Sequence, residues 1–198
     1  MTQSELDEVL RAHRLWLSEG VGAAANLAGA DLGGRRLAWE DMTGVNFTNA
    51  DLSAAILYTT NLTRADLTDA NLHSANLYGA DLTGVNLTRA VGLPVIQPVA
   101  GFRASLLAAV TADGCSLKMT TWHTCETTHC LAGWVVTLHP EGELLESVYW
   151  TGTAASLILN ACGENVPDFY DTEYGAESRA LNWLRTGNQT DTHEGDQC

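Results

Sequence analysis

Between Ala25 and Arg89 a large apolar residue recurs at every fifth position, thirteen times: Leu27, Leu32, Leu37, Met42, Phe47, Leu52, Leu57, Leu62, Leu67, Leu72, Leu77, Leu82 and Leu87. Two residues before each centre sits a small residue, usually Ala. One residue before it sits, in most repeats, Asp or Asn. A period of five fits neither a helix at 3.6 residues per turn nor a strand at two. A chain that turns a corner every five residues can point both the large and the small residue inward. Four such sides would make a square coil, twenty residues round. Leu27, Phe47, Leu67 and Leu87 then form one column, beside Ala25, Val45, Ala65 and Val85. No single coil can bury its own apolar residues, so neighbouring coils must stack. At strand-like spacing the block rises only about 16 Å.

The apolar pattern changes period on either side. Residues 3–18 read as an amphipathic helix with Leu6, Val9, Leu10, Trp16 and Leu17 on one face. Thr2 and Glu5 are placed for a capping box, and Gly20 ends the helix. The open end of a stacked coil exposes core and unpaired backbone, so this helix is expected to cover it. The repeat fades at Val91GlyLeuPro94, and Pro98 marks a linker. Helical patterns follow at 100–111, about 126–138, 153–162 and 176–186, with a loop at 112–124. The expected organisation is a capping helix (1–24), the repeat block (25–92), a linker (93–99), a helical domain (100–186) and a polar tail (187–198).

The repeat itself, as in Ala65AspLeuThrAsp, Ala70AsnLeuHisSer and Ala80AspLeuThrGly, resembles the pentapeptide-repeat family. The resemblance covers 25–89. It implies a short right-handed quadrilateral β-helix, so the fold class expected is mainly β solenoid plus α. A second resemblance lies further on. Trp122HisThrCysGluThrThrHisCysLeuAlaGlyTrp134, continuing weakly through GluGlyGluLeuLeuGlu, AlaAlaSerLeuIle and ValProAspPheTyr, is similar to a module beside pentapeptide repeats in uncharacterised bacterial and phage proteins. It implies a bacterial or phage origin and brings no activity.

Charge narrows the partners. The net charge is -14, split as -2 over residues 1–24, -3 over 25–89 and -9 over 90–198. Such a chain should repel nucleic acid and anionic membranes and suit basic protein partners. No run of eighteen apolar residues predicts a membrane span, and no secretory signal pattern opens the chain. Five irregularly spaced cysteines do not read as a disulfide framework, which points to a reducing, cytoplasmic setting.

Two places carry candidate chemistry. On the side formed by the repeats at Arg35, Ala55 and Ala75, the outward residues are Trp39, Ile56, Tyr58 and Tyr78. An apolar side on an otherwise polar coil packs on something, either the chain's own C-terminal part or a protein partner. Arg35 and Glu40 stand where Ala is the rule, and are expected to point out of the first coil or pair with each other. The second place is the Cys/His stretch. His123, Cys125, His129 and Cys130 invite a zinc reading, although their spacing is not a standard zinc pattern. Cys125 at a helix N-terminus with His129 as base would be the thiol-chemistry reading. The third reading is packing, with small Cys130, Ala132 and Gly133 allowing close approach; it is preferred, and with it no cofactor and no enzyme activity.

The function expected is thus a non-enzymatic protein-interaction or structural module, such as a phage-encoded assembly component, with a protein partner or self-assembly. The alternatives are a gyrase- or topoisomerase-binding DNA mimic, and a Cys/His metal or cysteine-dependent domain at 122–134. The mimic is disfavoured by about three coils carrying only -3, where a duplex presents one charge per ~1.7 Å.

Overall fold

The computed structural model describes residues 1–112, 116–117, 128–129, 131–164, 167 and 176–187. Helix α1 spans Gln3–Glu19. The repeats follow, with bridges as far as Val91. Then come α2 (Phe102–Val110), β1 (Ser116–Leu117), β2 (Thr128–His129), α3 (Leu131–Leu138), α4 (Gly142–Tyr149), α5 (Thr151–Ala161) and α6 (Ala176–Thr186). None of these helices is long and apolar enough to cross a membrane.

The repeat block returns to register every twenty residues. Parallel bridges join Asn26 to Asn46, Asp31 to Asp51, Arg36 to Ile56 and Asp41 to Asn61, and the series runs on to Asn71 and Val91. Each five-residue side contributes one bridged residue and then a turn. Among the described residues the repeats therefore hold isolated bridges and no extended strand, where a mainly β block was expected. The corner every five residues is the reason: no side is long enough for a ladder.

Three devices build the corners, the third missing where Arg36 and Ile56 stand in place of Asp or Asn. The central residue's C=O accepts from the N–H three residues on, as Leu27 does from Ala30 (3.1 Å) and Leu67 from Ala70 (3.0 Å). The third residue of that turn has positive φ in all thirteen repeats, from Gly29 (65°) to Arg89 (56°), as a type II turn requires. The Asp or Asn before the centre accepts the N–H two residues on: Asn46 from Thr48 and Asp66 from Thr68, both at 2.9 Å. This Asx turn is why the repeat prefers Asp or Asn. The Thr68 hydroxyl, then its backbone N–H, hold the Asp66 carboxyl below its ordinary range. The centres from Leu27 to Leu82 are buried, forming the column core. At Thr60, where Ala is usual, the buried hydroxyl donates to Leu37 C=O (2.8 Å).

Both ends of the stack carry groups that imitate part of a missing coil. At the first end α1 starts in a capping box, with Thr2 and Glu5 bonding each other's backbone N–H, and stops at left-handed Gly20. It buries Leu6, Leu10 and also His13. The Gln3 side-chain amide donates to Arg36 C=O (3.4 Å) and accepts from Arg36 N–H (3.3 Å), as a neighbouring peptide unit would. His13 Nδ1 accepts from Ala25 N–H (3.2 Å). Arg35 and Glu40 do not pair with each other. Arg35 Nε donates to Met1 C=O (2.9 Å), and Glu40 pairs with Arg14 (2.7 Å). Each charged side chain finds its partner on the N-terminal cap.

At the other end the helical part takes over. Gly79 N–H donates to Tyr149 C=O (3.1 Å), and the Thr153 hydroxyl donates to Ala80 C=O (2.7 Å). Helices α3, α4 and α5 pack on one another, and α2 packs on α6. Phe102, Leu106, Val135, Ile158 and Trp183 are buried among them. Gly142 allows the close approach of α3 and α4: a Cβ there would lie 1.9 Å from Val136 C=O.

Candidate functional site

Four rings from four turns of chain form one aromatic column. Trp39 meets Tyr58 edge to face (centroids 5.3 Å apart, planes at 69°). Tyr58 and Tyr78 stack at 5.6 Å and 5°. Trp150 continues the stack beyond Tyr78 at 6.3 Å and 6°. The twenty-residue period places Tyr58 directly over Tyr78, since each follows its repeat centre by one residue. Trp39 follows its centre by two and sits at the left-handed corner (φ 66°), so its ring swings across Tyr58 rather than along it.

Trp150 was not among the residues singled out from sequence. It joins α4 to α5 with φ 70° and ψ 158°, a region that side chains other than Gly rarely enter. Its N–H donates to Glu146 C=O (3.0 Å), and its C=O accepts from Ala154 N–H (2.9 Å), so both helices hold the turn. Its ring lies against Gly79, where a Cβ would come within 3.1 Å. Gly79 therefore serves twice, as a left-handed corner and as the seat of the indole. The sequence signal was weak: an aromatic pair, Tyr149–Trp150, between two helical patterns, with nothing to give its register on the repeats.

The column is open on its outer side. Trp39 is 71% exposed, Trp150 44%, Tyr78 39% and the neighbouring Ile56 38%. Tyr58 is half-buried between its neighbours. The chain's own helical part thus covers one end of this side and leaves the Trp39 end bare. Stacked rings with exposed faces can take an apolar or aromatic side chain, and a Trp face attracts Arg or Lys.

The Cys/His stretch is placed only in part. His123, Cys125 and Cys130 lie outside the described residues, as does the His129 side chain; His129 backbone belongs to β2, which pairs parallel with β1. Two expectations change here. The helix expected from about 126 begins at Leu131, and the loop expected at 112–124 holds β1. Thr128 is β-branched and suits the extended backbone of β2, and α3 begins at the apolar run Leu131–Val136. The thiol-chemistry reading of Cys125 and His129 and the zinc reading both fall on side chains outside the described residues. Among the described residues, Cys162 is a half-buried thiol that accepts from Val99 N–H at 3.4 Å.

The profile of pentapeptide repeats matches residues 23–64 and 57–89 of the chain. No curated protein matches it. Among solved structures, a pentapeptide repeat protein from the Arabidopsis thaliana thylakoid lumen is 26% identical over 44% of this chain and 78% of that one, with a TM-score of 0.31. Rfr23 from the cyanobacterium Cyanothece 51142 is 40% identical over 33% of this chain and 48% of that one, with a TM-score of 0.21. QnrB1, a plasmid-mediated fluoroquinolone resistance protein, is 23% identical over 34% of this chain and 40% of that one, with a TM-score of 0.22. The chain spans about half the length of the Cyanothece protein and less of QnrB1. The matched residues carry the bridges, Asx turns and left-handed corners described above, and through them residues 23–89 belong to the pentapeptide-repeat family.

Proposed function

We propose that the chain is a non-enzymatic protein-interaction module whose binding surface is the open side carrying Trp39, Ile56, Tyr58 and Tyr78. The observation that carries this is the bare end of the aromatic column: a Trp ring 71% exposed yet held in place by Tyr58. An anchored, exposed aromatic is the kind of residue that dominates binding energy at interfaces. The repeats wind, in this reading, as a right-handed quadrilateral β-helix that serves as a rigid rack for these rings. The partner is a protein segment offering Arg, Lys or apolar side chains, which suits a net charge of -14.

The test is quantitative affinity capture from the source cell with the intact chain and with Trp39→Ala. Trp39 is mostly exposed, so the variant should melt within about 0.5 kcal/mol of the parent. A partner held by the parent and lost at least about tenfold by the variant supports the surface, since one interface anchor contributes on the order of 2 kcal/mol. Identical capture by both proteins would contradict it.

A further inference from the structure

The last coil keeps one open backbone edge. One coil below it, Leu67 N–H donates to Asn86 C=O (2.8 Å) and Asp69 N–H to Thr88 C=O (2.9 Å). In return Asn86 N–H donates to Ala65 C=O and Val91 N–H to Ala70 C=O, both at 3.0 Å. The same four groups one coil up are Leu87 N–H, Arg89 N–H, Val85 C=O and Ala90 C=O. None of them has a hydrogen-bond partner among the described residues. The neighbouring side differs, because Tyr149 and Thr153 already occupy Gly79 N–H and Ala80 C=O.

A groove of about 730 Å³ adjoins this edge, lined among others by Leu87, Ala90, Pro94, Ile96, Leu157 and Ala161. It continues the interface made by α5. Thr153, Leu157 and Ala161 recur every four residues and so share one helical face. The first of them is bonded to Ala80 C=O and the other two line the groove. Helix α5 thus leads from the side it has closed to the side it leaves open.

We propose that this edge and groove bind one peptide segment of a partner protein by backbone addition, turning a corner at p+3 as the coils below do, as a one-sided fifth coil. The register of the coils below defines the ligand. Residue p of the peptide donates its N–H to Val85 C=O and offers its C=O to Leu87 N–H. The carbonyl of p+2 accepts from Arg89 N–H, and the N–H of p+5 reaches Ala90 C=O. An apolar side chain at p+1 enters the groove beside Leu87, and Pro is excluded at p because it lacks the donor. A free edge with donors and acceptors in fixed register accepts such a segment, and the groove selects its apolar side chains. This site is separate from the aromatic column.

The test uses the full chain and a fluorescein-labelled synthetic peptide with the sequence of residues 85–91, ValAsnLeuThrArgAlaVal, in which Asn takes position p. Anisotropy should saturate, and the amide resonances of Leu87 and Arg89 should shift. N-methylation at the peptide's Asn should weaken binding about tenfold, the effect of one lost hydrogen bond. Ala161→Arg, at a half-buried helix end, should block the groove and weaken binding similarly while leaving the thermal melt unchanged. No saturation up to about 1 mM, the weak limit of specific recognition, overturns the proposal. So does binding that ignores N-methylation. Self-association of the protein that Ala161→Arg abolishes, without peptide binding, assigns the edge to a second copy and also overturns it.

Discussion

At Ala54 the backbone holds φ 54°, a left-handed corner filled by a residue that gains nothing from it. The side chain is exposed, so the strain has no packing return. Ala54→Gly should raise stability by about 0.5–1 kcal/mol, read by urea unfolding, because Gly enters this region without the Cβ clash. His13 gives the opposite case, a polar residue buried in the cap. Its Nδ1 accepts from Ala25 N–H and its Nε2 finds no partner among the described residues. Burial pushes the imidazole below its ordinary 6.5, against a smaller upward pull from Asp41. The unfolded chain then binds the proton first. Stability is full above about pH 6.5 and falls as pH drops through that value toward the depressed folded one. Replacing His13 by Gln should flatten this acid slope in denaturation curves; an unchanged slope would assign it to other groups.

At the scale of elements, each cap works by presenting the hydrogen-bonding groups of a coil that is not there. Gln3→Ala removes the amide that serves both Arg36 N–H and C=O. It should cost about 1–2 kcal/mol, less if water replaces the amide. Gly142→Ala should cost about 3 kcal/mol or more, since its Cβ would sit 1.9 Å from Val136 C=O and the backbone must part; thermal melting measures it. The repeats, α1 and its capping box were legible because periodicity and capping are local. So was the column of Tyr58 over Tyr78, once the period of twenty was known. Helix α4, carrying Leu144 and Val148 exposed, and the partner Trp150 were not legible, because their placement depends on which edge of the coil needs a cover. The pairing of Arg35 with Met1 and of Glu40 with Arg14 was hidden likewise, by a cap whose orientation no local pattern states.

The whole molecule reads as a short stack held between two helical parts, with the aromatic column running down one side and across the second junction. Among the described residues that junction includes Tyr149 C=O, the Thr153 hydroxyl and the Trp150 ring. Thr153→Val keeps the shape and leaves Ala80 C=O buried without its donor. It should cost about 1–3 kcal/mol and separate one unfolding transition into two, seen by calorimetry. The central claim, that the chain's own helices stand in for absent coils at both ends while one edge stays open, is tested most directly by amide hydrogen exchange resolved by residue. Ala25 and Gly79 should be protected like Leu32 and Leu52 inside the stack, while Leu87 and Arg89 exchange much faster. Rapid exchange at Gly79, or interior-like protection at Leu87 and Arg89, would contradict the account.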